Sequence, residues 1–175
     1  KNRNNMNFQE LKASKELSDI DYFDLLKCDE WKFKREEILK RDNYKCKKCS
    51  KSKTISSNIV GNKRIYIYEI NGETFENESY ISLQIHHNLY IFNKLPWDYN
   101  HKYLITLCNH CHQKFHNDDS VEVWDQHQLN KMEFGHCDRC SGKGYIPEYK
   151  KIQNGICFKC KGYGYNRRLI NLEEL

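Results

Sequence analysis

The residues able to do chemistry in this chain are its cysteines and a cluster of histidines. Eight of the nine cysteines form four pairs with two residues between: Cys46/Cys49, Cys108/Cys111, Cys137/Cys140 and Cys157/Cys160. Cysteines three apart seldom bridge one another without strain, whereas two thiolates on one tight turn reach a single ion. The spacing therefore predicts tetrahedral zinc in place of disulfides. Cys46, Cys49, Cys108 and Cys111 together enclose one ion and leave no open coordination position, the mark of a structural site. A closed site of this type contributes about 10–16 kcal/mol of apparent folding free energy. Cys137, Cys140, Cys157 and Cys160 make a second such set. Cys28 is left over and reads as a small buried apolar residue.

The histidines suggest a different chemistry. His112 and His116 are four apart and share one helix face. His86 and His87 are adjacent on a predicted strand, so their side chains point to opposite faces. His86, His112 and His116 would supply three nitrogen ligands and leave positions open for water and a phosphate oxygen, as in a catalytic site. His87, an imidazole of ordinarily near-neutral pKa, would then take the proton from an attacking water. His101, His110, His127 and His136 read as surface or packing residues, with His136 a reserve ligand beside Cys137.

These groups need elements to position them. A short helix is expected near residues 8–17. A second, capped by Asp29, runs from Glu30 to Arg41 and buries Trp31, Ile38 and Leu39. It delivers the chain to Cys46. Residues 64–70 alternate apolar and polar, and Asn71-Gly72 is a hairpin turn, so this block reads as an inserted β-hairpin. Residues 81–87 form another alternating strand ending in the paired histidines. A short strand over residues 103–107 leads to a helix over residues 109–117. Residues 121–133 predict a further helix, the core of a linker at 121–135. From about His136 the chain repeats itself with a period of 20 residues, since Cys137-x2-Cys140-x-Gly142-x-Gly144-Tyr145 is echoed by Cys157-x2-Cys160-x-Gly162-x-Gly164-Tyr165. Tyr145, Phe158, Tyr163 and Tyr165 there are either stacking surfaces or the cover of a very small core.

Composition agrees with a zinc-stapled fold. The chain has 175 residues, of which 38% are apolar, and a mean hydropathy of -0.93, too polar to depend on a large core. The net charge is +5. Its cations crowd the segment from Lys32 to Lys48, and Lys34, Arg35, Arg41 and Lys45 are the candidate contacts to a polyphosphate backbone. No apolar run has the length of a signal-peptide core or membrane span. Reduced, metal-bound thiols then imply a cytoplasmic protein.

One further pattern joins these residues. The run Leu83-Gln-Ile-His86-His87-Asn-Leu-Tyr90, then Pro96-Trp97-Asp98-Tyr99, then Leu104-Ile-Thr-Leu107-Cys108-x2-Cys111-His112-x3-His116 resembles the HNH endonucleases. Bacteria and phages encode many of these, built on a ββα-metal core. The resemblance covers roughly residues 31–117, less the inserted hairpin. It implies a metal-dependent endonuclease that hydrolyses DNA phosphodiester bonds, with RNA left open as a substrate. His87 is then the general base. His86, His112 and His116 hold one catalytic divalent ion, Mg²⁺, Mn²⁺, Ni²⁺ or Zn²⁺, beside two structural zinc ions. The middle asparagine of that family stands just before the Leu104–Cys108 run, where this chain has Tyr103. Asn100 is the first candidate to replace it and Asn93 the second. The C-terminal repeat resembles the zinc-binding repeats of DnaJ-type chaperones. The expected fold is α+β, with an N-terminal polar helical extension over 1–29 and a nuclease domain over 30–120. A linker helix over 121–135 and a four-cysteine zinc ribbon over 136–175 complete it. Catalytically silent nucleic-acid-binding and protein-interaction zinc modules are the alternative functions.

Overall fold

A computed structural model describes residues 6–118, 121–149, 151–152 and 155–175, without the side chains of residues 116–118. The fold is α+β, with small sheets and few helices. The helices are α1 (Phe8–Ser14), α2 (Tyr22–Leu25), α3 (Asp29–Arg41) and α4 (Asn109–Asp118). The strands are β1 (Ser56–Val60), β2 (Lys63–Ile70), β3 (Glu73–Asn77), β4 (Leu83–His87), β5 (Tyr90–Ile91), β6 (Leu104–Cys108), β7 (Val123–Trp124) and β8 (Lys131–Met132). Two compact units result, one of residues 1–34, 89–99 and 122–175, the other of residues 35–88 and 100–121.

In the first unit, local capping starts the short helices. Asn7 and Glu10 form a reciprocal capping box at α1, and Asp21 and Asp24 form one at α2. Four residues of helix cannot persist on propensity alone, so α2 depends on burial. Leu25 and Ile20 are fully buried in a core with Leu11, Cys28, Tyr163, Tyr165 and Ile170. The N-terminal segment, the Tyr90–Trp97 stretch and the chain's last residues thus share one apolar core. Tyr163 and Tyr165 are 5% and 7% exposed, which makes them core tyrosines and leaves no stacking surface on either. Cys28 is also buried there, and burial pushes its thiol pKa up to about 11.

The helix expected over the linker at 121–135 is absent. Residues 121–135 instead hold β7 and β8, paired antiparallel, with β5 added parallel to β7. The turn explains the difference. The Asp125 carboxylate accepts from the amides of Leu129 and Asn130 and from the Asn130 side chain, and Gln128 has a φ of 58°. An Asx-type turn competes with helix for those same amides.

In the second unit, β1, β2 and β3 form an antiparallel meander, with a single bridge from Ile70 to Lys51 at its base. The sequence predicts its second turn correctly: Asn71 and Gly72 have φ of 51° and 95°, the paired positive values that a two-residue hairpin needs. β1 is an additional strand, unforeseen because Ser56–Asn58 is polar and β1 is exposed throughout. β4 and β6 pair antiparallel with His86 opposite Ile105 and His87 opposite Leu104. α4 follows β6 directly and packs on both strands. Asn109 fixes that junction, exchanging hydrogen bonds with the main chain of Ser82 and donating to the Tyr80 carbonyl. α3 buries Ile38 and Leu39 as its spacing predicts.

Candidate metal centres

The first knuckle is built where the chain leaves α3. Asn43 and Tyr44 take positive φ. The Cys46 amide then donates to the Lys51 carbonyl at 2.9 Å and the Ser50 amide to the Cys46 carbonyl at 2.8 Å, closing the turn around the two thiols. The Lys47 amide donates to the Thr106 carbonyl, which sets this turn against the end of β6. Cys108 ends that strand, and Cys111 lies in the first turn of α4. All four sulfurs lie within 4.8 Å of one another.

The second knuckle pair is nearly symmetric. The Cys137 amide donates to the Gly164 carbonyl at 2.8 Å and the Cys157 amide to the Gly144 carbonyl at 3.0 Å. The Gly144 and Gly164 amides point at the sulfurs of Cys140 and Cys160, at 3.2 and 3.3 Å. Glycine is required here for space as well as backbone angle: a Cβ on Gly144 would lie 2.3 Å from the Gly162 carbonyl oxygen, and one on Gly164 2.3 Å from that of Gly142. Asp138 pairs with Lys159, and the Arg139 guanidinium lies 3.9 Å over the Phe158 ring. The intervening residues of the two knuckles are therefore cross-paired. Phe158 is half exposed but already carries that cation.

Both clusters have the dimensions of a zinc site. Zinc–sulfur bonds of about 2.3 Å at tetrahedral angles set sulfurs about 3.8 Å apart. Cys49 and Cys108 are 3.7 Å apart, Cys137 and Cys157 3.9 Å, and Cys140 and Cys160 3.7 Å. A disulfide would require about 2.05 Å, and all nine cysteines are free. The two tetracysteine groups can hold structural metal ions such as zinc, and the sequence pairs them correctly. Among the described residues, they are the groups of three or more Cys, His, Asp or Glu side chains able to converge on an ion.

The histidines form a smaller constellation. The β4–β6 register turns His86 to one face and His87 to the other. The His86 ring approaches that of His112 on α4, with centroids 5.1 Å apart, and that of Phe115 at 4.5 Å. His86 and His87 are 2% and 3% exposed. The backbone of His116 lies in α4, one turn beyond His112, but its side chain is outside the described residues. The structure thus brings two of the three expected nitrogen ligands together.

Other candidate residues have different work. The Asn100 side-chain oxygen accepts from the Lys102 amide and caps the turn over His101–Tyr103. Asn93 lies in the first unit and there accepts from the Asn171 amide and donates to Glu174. Neither side chain is spent on the loop after His87. Arg35 donates to the Leu83 carbonyl. Arg41 makes a two-pronged pair with Asp42 and donates to the carbonyls of His101 and Leu104. These two arginines tie α3 to β4 and β6, so the structure gives them a bracing role where the sequence suggested phosphate contacts. Lys34 and Lys45 are half-buried, Lys34 in the first unit and Lys45 at the first knuckle. His101 pairs with Glu37. Among the described residues, no helix is long and apolar enough to cross a membrane. Comparison with protein-family models, curated proteins and solved structures finds no match to this chain.

Proposed function

We propose that this chain is a metal-dependent endonuclease of the HNH type, hydrolysing phosphodiester bonds in DNA. The observation that carries the reading is the meeting of His86 and His112 across a strand–strand–helix unit. Zinc-competent thiols at Cys108 and Cys111 pin the start of that helix. His86, His112 and His116 are the residues that would hold the divalent ion, and an imidazole set suits Mn²⁺, Ni²⁺ or Zn²⁺ better than Mg²⁺. Such an ion supplies Lewis-acid stabilisation of charge on the scissile phosphate. His87 takes the proton of the attacking water. β4 fixes its distance from His86, because adjacent residues on a strand cannot drift relative to one another. Lys45, beside the first knuckle, is the candidate backbone contact, and duplex DNA the partner; RNA is the second substrate to test.

Plasmid nicking in Mg²⁺, Mn²⁺ and Ni²⁺ tests this. Wild type should cleave, while His87→Ala and His112→Ala should lose at least about a hundredfold in rate, the usual contribution of a positioned base. The burial of His87 favours a second reading, a zinc module that binds nucleic acid without cutting it. Wild type that binds duplex DNA but leaves it intact in every ion would establish that reading and end the first.

A further inference from the structure

The meander of β1, β2 and β3 has two unlike faces. Strand register puts Ile59, Arg64, Tyr66, Tyr68, Glu73 and Phe75 on one face and Lys63, Glu69 and Glu76 on the other. Tyr80 joins the first face, its ring 5.7 Å from Tyr66 and nearly perpendicular to it. Phe75 stacks on Tyr68 at 5.9 Å, and the Lys51 ammonium lies 4.9 Å over Tyr68. Phe75 and Tyr80 are 38% and 52% exposed, a costly arrangement for aromatic rings unless something covers them. The base of the meander is fixed: Ser52 bonds the main chain of Glu69, and Thr54 exchanges hydrogen bonds with Ile81.

We propose that this face binds an unpaired stretch of nucleic acid, with bases stacked on Phe75 and Tyr80 and phosphates drawn to Arg64 and Lys51. Rings interleaved with cations suit a chain of π-faced bases joined by anions. Glu69 and Glu76 lie on the opposite face, and Glu73 is the one strand carboxylate set against Arg64 and Lys51 on this one. A second copy is the poorer occupant, because an isologous contact would bring together Arg64 and Lys51 of both copies with only Glu73 of each to offset them. The inference stands whether or not the histidine site cleaves.

Fluorescence anisotropy of labelled oligothymidylate and oligouridylate of about 12 nucleotides, against the zinc-loaded full chain without other divalent ions, reads binding apart from cleavage. Single strands should bind more tightly than blunt duplex. Phe75→Ala/Tyr80→Ala should weaken single-strand binding at least about tenfold and leave duplex binding unchanged, whereas Phe75→Tyr/Tyr80→Phe should bind like wild type. Arg64→Ala should lower the salt dependence by about one phosphate contact. The relative affinities of the two oligomers separate DNA from RNA as the source of the strand. Photo-crosslinking wild type to an iodouracil-containing strand gives a reading that needs no variant, with adducts expected on Phe75 or Tyr80. The proposal is overturned by unchanged single-strand binding in the alanine pair, by equal loss on duplex, or by adducts confined to other residues. Self-association of wild type that the alanine pair abolishes would also overturn it, and would mark the face as a protein interface.

Discussion

The Asn88 amide donates to the Tyr103 carbonyl at 2.8 Å, one position beyond the register pair of His87 and Leu104. The main chain at Tyr103 thus braces the residue that follows His87, at the place where the HNH pattern has an asparagine. A main-chain brace does not depend on the side chain at 103. Asn100, the sequence's first substitute, spends its oxygen capping the next turn.

Asn100→Ala should therefore cost stability and spare any cleavage. Losing one exposed hydrogen bond lowers the unfolding free energy by about 0.5–1.5 kcal/mol. Thermal melts should show a drop of a few degrees while the nicking rate per folded molecule stays within about threefold, well short of the loss expected on removing a positioned base. An unchanged melting temperature with lost cleavage would return Asn100 to the site.

The two zinc-competent clusters should behave as separate stoichiometric sites. Metal analysis of the chain folded with zinc should give two tightly held ions. Cys157→Ser should retain one, because the first cluster draws its sulfurs from the other unit. Cys46→Ser should also retain one, with cooperative melting lost from the unit holding β4 and β6, since the binding energy of a closed site is folding energy. Two ions in either variant would refute the assignment.

What the sequence made legible follows from locality. Each Cys-x2-Cys turn and the Asn71-Gly72 hairpin are set by residues a few positions apart, and the alternation over Leu83–His87 is strict enough to declare a strand. The failures share the opposite cause. Whether Arg35 and Arg41 face solvent or carbonyls depends on β4 and β6, some 48 to 63 residues away. Tyr163 and Tyr165 look like display residues until the N-terminal segment supplies Leu11, Ile20 and Leu25 to cover them. The residues between 121 and 133 have the composition of a weak helix, and one carboxylate, Asp125, decides against it.

The near-symmetry of the second cluster yields a prediction about glycine. Gly164→Ala puts a methyl group 2.3 Å from a carbonyl oxygen at a φ of 79°, and backbone cannot yield as a flexible side chain would. Gly61 has a similar φ of 60° with nothing within 4 Å of an added Cβ. Gly61→Ala should cost only the left-handed penalty of about 1–2 kcal/mol. Gly164→Ala should in addition speed zinc release to a colorimetric chelator at least about tenfold, each 1.4 kcal/mol of weakened binding being a factor of ten. Equal release rates from the two variants would mean that the close approach of Gly142 and Gly164 is immaterial to metal retention.

Asp42 supplies the pH-dependent prediction. Its side chain is 4% exposed, and burial alone would raise its pKa. Hydrogen bonds from Arg41 and Thr106 outweigh that and hold the carboxyl below its usual range. A group whose folded pKa is depressed stabilises the fold fully above its unfolded value, about 3.9 for aspartate, and loses that contribution as pH falls through the lower folded value. Asp42→Asn should therefore be less stable than wild type by about 1–3 kcal/mol at neutral pH, the range for a charged, buried hydrogen-bonded group. The gap should persist to about pH 4 and close below it. Acid releases zinc from both proteins alike, so the quantity to read is the difference between their urea midpoints. A difference that widens in acid would show that Asp42 is not held as the anion clamping the end of α3 to β6.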